Sequence, residues 1–290
     1  MTRKLLSGDE AVALAALDSG VALGTGYPGT PSTEILETFD ALGGRAQWAP
    51  NEKVALEVGI GAAFANARTL VTMKHVGLNV AADPLFTAAY TGVTGALIVV
   101  TADDPGMSSS QNEQDNRRYA IAAGLPMVEP ADSQEAYDFF FSAVEISERW
   151  HIPVLFRMTT RVCHAKSIVV SGAERPAAAG SASPGGPTSA PTPHFEHDTS
   201  ARVMIPANAR PAHRRLRAKL AEIAGWGETC DLNRVEPGDG SGSLGIIANG
   251  VSYLHAAEAA PGAALLKIGL ANPLPVEKAR AFVAGVKRAV

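Results

Sequence analysis

A carboxylate suited to site chemistry stands where a helix rich in small residues is predicted to begin. Glu52 follows Asn51 and precedes residues 54–66, whose small and apolar side chains recur at helical spacing. A carboxylate at a helix start usually compensates the helix dipole, and a functional group is the alternative. Glu57, further along the same helix, is a competing candidate. The local sequence leaves the choice of residue and the choice of role open.

Two basic residues directly follow an apolar run. Lys74 and His75 come after residues 69–73, which are predicted to form a buried strand. Because the strand does not need them for packing, they could stabilise a carboxylate or a developing negative charge; a histidine satisfied within the fold is the alternative. No other histidine, cysteine or acidic residue stands at metal-ligand spacing nearby, so no protein-ligated metal site is predicted.

Two further segments combine strand ends with polar residues. Arg161 follows the apolar run 153–157, and a guanidinium there suits a carboxylate substrate, although a structural ion pair would explain it equally. Residues 101–117 form a long polar stretch after the most hydrophobic run of the chain. Loops of this kind often carry function, and a solvated loop is the alternative.

A glycine-rich loop at residues 26–32 completes the set of candidate segments. Its glycines permit close backbone approach, and the helix start that follows could present N–H groups to an anion or a polar ring edge. An ordinary turn is the alternative. In that turn Thr30 would be the N-cap, and Pro31 would occupy the first helical position.

The elements between these loops predict an α/β fold. Residues 1–170 alternate short apolar runs with helical patterns, which indicates a parallel sheet covered on both faces. Ligands bind to such sheets at the carboxyl ends of the strands, where the candidate loops stand. Residues 171–200 are rich in Ala, Gly, Ser and Pro and are predicted to be a disordered linker. Residues 201–290 are predicted to form a smaller α/β domain that is incomplete, since no closing strand follows its last helix.

Composition excludes several functional classes. The chain has 290 residues, 46% of them hydrophobic, which is enough for a sizeable core. A net charge of −4 gives no basic field for nucleic acid, and no apolar run is long enough to span a bilayer. Two cysteines, far apart, provide neither a disulfide framework nor the four thiolates of a typical iron–sulfur cluster. The start is not a secretory signal, so a cytoplasmic location is expected.

Several candidate segments recur in one family, in the same order and at matching spacing over residues 5–170. They are residues 27–32, 51–57, 72–79, 102–106 and 110–117. Together they resemble the pyrimidine-binding domain of the indolepyruvate:ferredoxin oxidoreductase alpha subunit, a thiamine-diphosphate protein. Residues 203–210 and 245–253 bear a weaker resemblance to the family's second, transketolase-C-terminal-like domain.

The resemblance implies an activity and a set of site residues. The family uses thiamine diphosphate with Mg²⁺, [4Fe-4S] clusters and coenzyme A to oxidise indolepyruvate to indoleacetyl-CoA, and it passes electrons to ferredoxin. It implies that Glu52 bonds the aminopyrimidine ring and favours its imino tautomer, and that Thr30 lies on the substrate side as a second catalytic residue. The other implied cofactor-binding residues are Tyr27, Pro28 and Gly29. From their loop positions, the candidate substrate-binding residues are Lys74, His75, Asn79, Arg117 and Arg161.

The chain also departs from the family. The diphosphate- and Mg²⁺-binding domain and the ferredoxin-like cysteine clusters are absent, and Gly238-Asp239-Gly240 stands at the wrong place for the diphosphate motif. The chain is therefore expected to hold only the pyrimidine end of the cofactor and to be inactive alone. Expected partners are the missing thiamine-diphosphate and ferredoxin-like portion or chain, a beta subunit, ferredoxin, a 2-oxoacid and CoA. A different 2-oxoacid substrate and a non-catalytic assembly role remain alternatives.

Overall fold

The computed structural model describes residues 2–172 and 190–290. Most of the predicted linker, residues 173–189, lies outside the described residues. The strands are β1 Thr2–Ser7, β2 Leu23–Gly26, β3 Ala46–Trp48, β4 Thr69–Lys74, β5 Leu97–Asp103, β6 Met127–Val128, β7 Val154–Thr159, β8 Lys166–Ser171, β9 Asn233–Glu236, β10 Gly245–Asn249, β11 Ala264–Ile268 and β12 Leu270–Asn272. The helices are α1 Gly8–Asp18, α2 Thr33–Ala41, α3 Glu52–Phe64, α4 Gly77–Val80, α5 Ala82–Thr91, α6 Arg117–Ala123, α7 Ser133–Trp150, α8 Thr160–His164, α9 Thr199–Arg202, α10 Pro206–Gly227, α11 Gly250–Ala259 and α12 Val276–Ala284.

The main layer is a seven-stranded sheet with the order β12-β6-β7-β5-β4-β2-β3. All neighbouring pairs are parallel except β12, which runs antiparallel to β6. Every residue of the central strand β5 is buried, as expected for a strand covered on both faces. The predicted α/β fold with a parallel sheet is therefore confirmed.

The helices bury the apolar faces that the sequence predicts. The Ala-rich helix α1 buries eight of its residues against α2 and α7, because alanine side chains let helix axes approach closely. Its start is fixed by a capping box in which Ser7 accepts from the Glu10 N–H and Glu10 accepts from the Ser7 N–H. Helix α3 covers β2 and β4 and is buried at Ala55, Leu56, Gly59 and Ala63.

The carboxy-terminal region forms a three-stranded sheet of order β10-β11-β9 and contributes β12 to the main sheet. Asn233 links the two sheets, because its Oδ1 accepts from the N–H groups of Gly269 and Leu270 at 3.0 Å. Lys267 on β11 is fully buried and pairs with Glu135 of α7. Residues after 200 therefore pack directly on the main sheet and complete one of its edges.

The predicted start of α2 is wrong. The helix begins at Thr33 with Ser32 as N-cap, so neither Thr30 nor Pro31 occupies the predicted cap and first helical positions. The physical reason is a turn before the helix. The Ser32 N–H and hydroxyl both donate to the Gly29 carbonyl at 3.0 and 3.1 Å, and the Thr33 hydroxyl accepts from the Gly29 N–H at 2.8 Å. These local side-chain bonds hold the backbone out of the helix until Ser32.

Among residues 2–172 and 190–290, the helices are all too short or too polar to traverse a bilayer.

Candidate functional site

The candidate residues gather at the carboxyl edge of the main sheet. Strand β7 is followed by helix α8, the adjacent strands β5, β4 and β2 end in loops 104–116, 75–76 and 27–32, and α3 begins after the edge strand β3. Because carboxyl ends of parallel strands meet on one side of a sheet, these loops form one continuous face. The strand order therefore brings the candidate segments to one edge of the sheet, as the sequence predicts.

Glu52 lies in the first turn of α3 and is only 8% exposed. The cap itself is made by Asn51, whose side chain accepts from the Val54 N–H at 3.0 Å. Glu52 has no hydrogen-bond or ion-pair partner within residues 2–172 and 190–290. Its neighbour is Gly77, where a Cβ atom would come within 2.7 Å of the Glu52 Cγ and Oε1 atoms. The helix start therefore presents a nearly buried carboxylate whose hydrogen-bonding capacity is unused.

The competing carboxylate, Glu57, has a different environment. Its side chain is 50% exposed and lies 3.9 Å from the Lys53 ammonium, four residues earlier on α3. Lys53 also donates to Asp83 at 3.2 Å. Exposed pairs of this kind contribute little to stability and impose no desolvation. The structure thus distinguishes two carboxylates that the sequence left open: Glu52 is nearly buried and unpaired, and Glu57 belongs to a solvated charged surface.

The loop at residues 27–32 packs against Lys74. A Cβ atom at Gly29 would come within 2.9 Å of the Lys74 Cδ atom, so the lysine stem lies directly over the Gly29 backbone. The Lys74 ammonium makes no hydrogen bond or ion pair within the described residues. Tyr27 is 40% exposed, and Pro28 and Thr30 are exposed on the same loop. The loop therefore places an unpaired cation beside three accessible side chains.

His75 is completely buried. Its Nε2 atom lies 3.0 Å from the Asn112 carbonyl oxygen and 3.3 Å from the Asn112 Oδ1 atom. Its Nδ1 atom has no partner in the described part of the chain. The structure therefore places this predicted substrate-binding residue beneath the 104–116 loop, where it holds that loop to β4.

Asn79 lies in an exposed hydrogen-bonded group that also secures the 104–116 loop. Its side chain donates to Gln114 at 2.9 Å and accepts from the Tyr119 hydroxyl at 2.6 Å. Gln114 in turn donates to the His75 carbonyl at 3.0 Å and to the Asn116 side chain at 2.6 Å. Asn79 and His75 are therefore brought together through this loop.

A buried charge network lies behind the edge. Arg157 donates to Asp103 at 2.8 Å and to Glu129 at 2.5 Å, and all three residues are at most 3% exposed. Burial raises the pKa of Asp103, and the Arg157 guanidinium only partly opposes this. Burial alone would lower the pKa of Arg157, but Glu129 and Asp103 raise it above its ordinary value. Arg157 is fully engaged within the fold, so it is not free for substrate.

Arg117 connects this network to the carboxy-terminal region. Its guanidinium donates to Asp115 at 2.9 Å and to the Asn249 side chain at 3.3 Å. Asn249, at the end of β10, donates to Glu129 at 2.9 Å. The predicted substrate-binding residue Arg117 thus has one partner in the 104–116 loop and one at the end of β10, and 37% of its side chain remains exposed.

Arg161 is exposed and lies on the wall of an open cleft of about 580 Å³. The cleft is also lined by Ser108, Thr160, His164 and Val251. Its rim is ordered by Asp104, which is buried and accepts from the Ser108 N–H, the Ser109 N–H and the Thr160 hydroxyl at 2.8–3.1 Å. Arg161 has no partner in a structural ion pair within the described residues.

Comparison with known proteins assigns the chain to a family. The family model described as pyruvate flavodoxin/ferredoxin oxidoreductase, thiamine diphosphate-binding, matches residues 14–206. The indolepyruvate oxidoreductase subunit IorA of Methanothermobacter thermautotrophicus is 41% identical over 292 residues, 98% of this chain and 45% of that protein. The IorA subunit of Archaeoglobus fulgidus is 41% identical over 302 residues, 98% of this chain and 46% of that protein.

The chain belongs to the pyruvate flavodoxin/ferredoxin oxidoreductase family, thiamine diphosphate-binding. It spans about half the length of the curated IorA relatives it matches. The fold is shared more widely: a 2-oxoglutarate:ferredoxin oxidoreductase from Magnetococcus marinus superposes with a TM-score of 0.77 at 18% identity, over 99% of this chain and 57% of that chain. At that identity the likeness concerns the fold alone.

Sequence reasoning missed two members of the buried network in this chain. Glu129 follows the two-residue strand β6, and Asn249 ends β10. An acidic residue directly after the buried pair Met127-Val128 was an available signal for Glu129. No comparable local signal marks Asn249, because its contact with Arg117 joins residues 132 positions apart.

Proposed function

We propose that this chain supplies the pyrimidine half of the thiamine-diphosphate site in an indolepyruvate:ferredoxin oxidoreductase. The complete assembly would decarboxylate aryl-pyruvates oxidatively, form aryl-acetyl-CoA and transfer electrons to ferredoxin. The diphosphate end of the cofactor, Mg²⁺ and [4Fe-4S] clusters would be held by the remaining portion or by another chain. The proposal rests on membership of the thiamine diphosphate-binding oxidoreductase family, on similarity to IorA subunits and on the environment of one carboxylate.

Glu52 is the observation that carries the proposal. A nearly buried carboxylate with no partner inside the chain is free to accept hydrogen bonds from a bound ligand. The close approach of Gly77 keeps the space beside the carboxyl free of a side chain. A flat nitrogen heterocycle whose ring N–H donates to Glu52 would satisfy the carboxylate. The residues present therefore fit the aminopyrimidine end of thiamine diphosphate.

Each residue has a distinct task in this proposal. Thiamine diphosphate, when bound, supplies a carbon nucleophile for 2-oxoacid chemistry. Glu52 accepts a hydrogen bond from the pyrimidine ring and holds the ring in the tautomer that accepts a proton; low exposure strengthens this bond because little water competes. Tyr27, Pro28 and Gly29 form the accessible loop beside it, with Thr30 on the substrate side.

The charges of the edge suit an anionic substrate. A 2-oxoacid carries a carboxylate, and Lys74 offers an unpaired ammonium next to the 27–32 loop. Arg161 offers a second unpaired cation on the cleft wall. Arg117 is shared between Asp115 and Asn249, and His75 is buried, so these two would act by ordering the 104–116 loop. Among the predicted substrate-binding residues, Lys74 is the strongest candidate for contact with substrate.

The test is Glu52→Gln in the assembled oxidoreductase, with Glu57→Gln as the matched control on the same helix. Glutamine keeps the size of the side chain and removes the acceptor charge. The proposal requires a large loss of 2-oxoacid oxidation in Glu52→Gln, with normal assembly by size-exclusion chromatography and normal activity in Glu57→Gln. Unchanged activity in Glu52→Gln would contradict the proposal and favour an assembly role.

Two further measurements define the scope of the proposal. The isolated chain is expected to show no 2-oxoacid decarboxylation, and measurable turnover would contradict the assignment of only half a site. Substrate profiling of the assembly is expected to favour indolepyruvate and other aryl-pyruvates. If the assembly prefers an aliphatic 2-oxoacid, the proposed reaction would stand and the proposed aryl-pyruvate substrate would be wrong.

A further inference from the structure

A second cluster of ligand-type side chains lies outside the proposed thiamine site. Asp9, Glu34 and His164 come from three different helices, α1, α2 and α8. One oxygen or nitrogen atom from each lies within 4.8 Å of the corresponding atoms of the other two. No hydrogen bond or ion pair joins the three side chains in the described residues. They converge on a common point without satisfying one another.

Asp9 is the unusual member of the cluster. It is 1% exposed, and neither of its carboxylate oxygens has a hydrogen-bond partner in the part of the chain that the structure describes. A buried carboxyl without a partner destabilises the fold, and a bound cation would relieve that cost.

The backbone holds Asp9 against α8. A Cβ atom at Gly8 would overlap the Val162 carbonyl oxygen, so only glycine permits this approach of α1 to α8. The capping box of Ser7 and Glu10 fixes the first turn of α1 on both sides of Asp9. The position of Asp9 is therefore determined by rigid elements, as expected of a ligand on a preorganised site.

Glu34 and His164 complete the cluster from the solvent side. Glu34 is in the first turn of α2 and His164 ends α8, and both are exposed. His164 also lines the 580 Å³ cleft. Solvent therefore has access to one side of the cluster, and Asp9 closes the other side.

We propose that Asp9, Glu34 and His164 bind a divalent transition-metal ion of the Zn²⁺ class. Two carboxylates and one imidazole are hard-to-borderline donors that suit Zn²⁺, and three protein ligands leave a fourth position for water. Tetrahedral ligands at about 2.1 Å from Zn²⁺ lie about 3.4 Å apart, so small side-chain rotations of the exposed Glu34 and His164 close the observed spacing. The bound ion would fasten α1, α2 and α8 together.

Sequence did not reveal this cluster. Asp9, Glu34 and His164 are spread over more than 150 positions, with none of the short spacings that identify zinc sites in sequence. The fold brings them together because the first turns of α1 and α2 lie beside the end of α8. The inference does not depend on the proposed function, since it concerns the isolated chain and residues outside the thiamine site.

The experiment is a titration of the metal-free full chain with ZnCl₂ by isothermal calorimetry, with bound zinc counted by elemental analysis after dialysis. The expected result is one Zn²⁺ per chain and a rise in melting temperature on binding. Asp9→Asn, Glu34→Gln and His164→Gln should each weaken binding at least about tenfold, since loss of even an outer-shell partner has an effect of that size. Circular dichroism checks that each variant remains folded.

Matched controls separate the site from surface binding. Glu37→Gln replaces an exposed carboxylate on the same helix as Glu34, and His255→Gln replaces an exposed imidazole on α11. Both should retain wild-type affinity and stoichiometry. Substoichiometric zinc in the wild type, or Asp9→Asn and His164→Gln that bind as tightly as the controls, would overturn the proposal.

Discussion

Gly77 approaches Glu52 so closely that a Cβ atom at position 77 would lie 2.7 Å from the Glu52 carboxyl. The two residues belong to different elements: Glu52 begins α3, and Gly77 begins α4 after strand β4. The Glu52 carboxyl can therefore occupy its place only because residue 77 has no side chain. The backbone at the start of α4 thus affects the chemistry proposed for the carboxylate at the start of α3.

Gly77→Ala should displace the Glu52 carboxyl. The backbone of Gly77 is helical, so alanine is acceptable there on conformational grounds, and the added methyl group acts through its contact with Glu52. We expect kcat of the assembled oxidoreductase to fall by at least about tenfold, the size of effect that follows when a catalytic group is misplaced by a fraction of an ångström. Steady-state kinetics and thiamine-diphosphate binding measure the effect.

Gly225→Ala is the control for that substitution. Gly225 lies near the end of α10, and a Cβ atom there would have no neighbour within 4 Å. This variant should keep full activity and gain a few tenths of a kcal/mol of stability from alanine's helix propensity. Equal activity in Gly77→Ala and Gly225→Ala would show that Glu52 does not need its present position.

Asp104→Asn should reduce stability at neutral pH. Burial alone would raise the pKa of Asp104, but hydrogen bonds from the Ser109 N–H, the Thr160 hydroxyl and the Ser108 N–H outweigh it and lower the pKa to about 2. A carboxyl whose pKa is lowered by folding stabilises the fold above its unfolded-state pKa, and the contribution is lost as the pH falls from about 4 towards 2. The difference corresponds to about 2 kcal/mol at pH 7.

Urea unfolding of the full chain at several pH values tests this expectation. The gap between wild type and Asp104→Asn should be largest at pH 7 and should shrink as the pH falls below about 4. Asp83→Asn is the control, because its carboxylate is 81% exposed in a surface pair with Lys53 and should contribute at most about 0.5 kcal/mol. A gap that is constant from pH 7 down to the acid transition would contradict the assignment.

Much of the site's location was predictable, because it follows from rules that act over short stretches of chain. Apolar runs followed by polar residues predicted that Lys74, Arg161 and the 101–117 segment share one edge of a parallel sheet, and the strand order places them there. The sequence around the two residues does not distinguish Glu52 from Glu57 as the functional carboxylate. The distinction depends on burial by Gly77, which is contributed by a segment 25 positions away.

What the sequence did not predict depends on long-range pairing or on competing local bonds. Glu129 is buried beside Arg157, its ion-pair partner on the neighbouring strand, 28 positions later in sequence. Asp9 resembles an ordinary acidic residue in the first turn of a helix until the packing of α8 buries it. The N-cap of α2 was misplaced because side-chain bonds from Ser32 and Thr33 to Gly29 compete with helix formation at Thr30.

Arg157→Met should destabilise the chain by about 3–5 kcal/mol, because it leaves the buried carboxylates of Asp103 and Glu129 without their cation. Arg157→Lys should recover only part of the loss, since an ammonium does not reproduce a planar fork shared between two acids. Arg280→Met removes a comparable ion pair whose side chains are about 70% exposed and should change stability by less than about 1 kcal/mol. Chemical unfolding measures all three variants. Equal losses in Arg157→Met and Arg280→Met would show that the buried network does not stabilise the fold.

Lys74→Met should weaken substrate binding without disturbing the loop. Methionine keeps a linear stem to pack over Gly29 and removes only the ammonium. A charge-assisted hydrogen bond to the substrate carboxylate is worth about 1.5–3 kcal/mol, so KM for indolepyruvate in the assembled oxidoreductase should rise at least about tenfold, with a smaller effect on kcat. Lys4→Met, at an exposed position on β1, serves as the charge control and should leave KM unchanged. A methyl ester of the substrate lacks the carboxylate charge, so its KM should be nearly the same for wild type and Lys74→Met. If KM for the ester rises as much as KM for the acid, Lys74 supports the shape of the loop and does not bind the carboxylate.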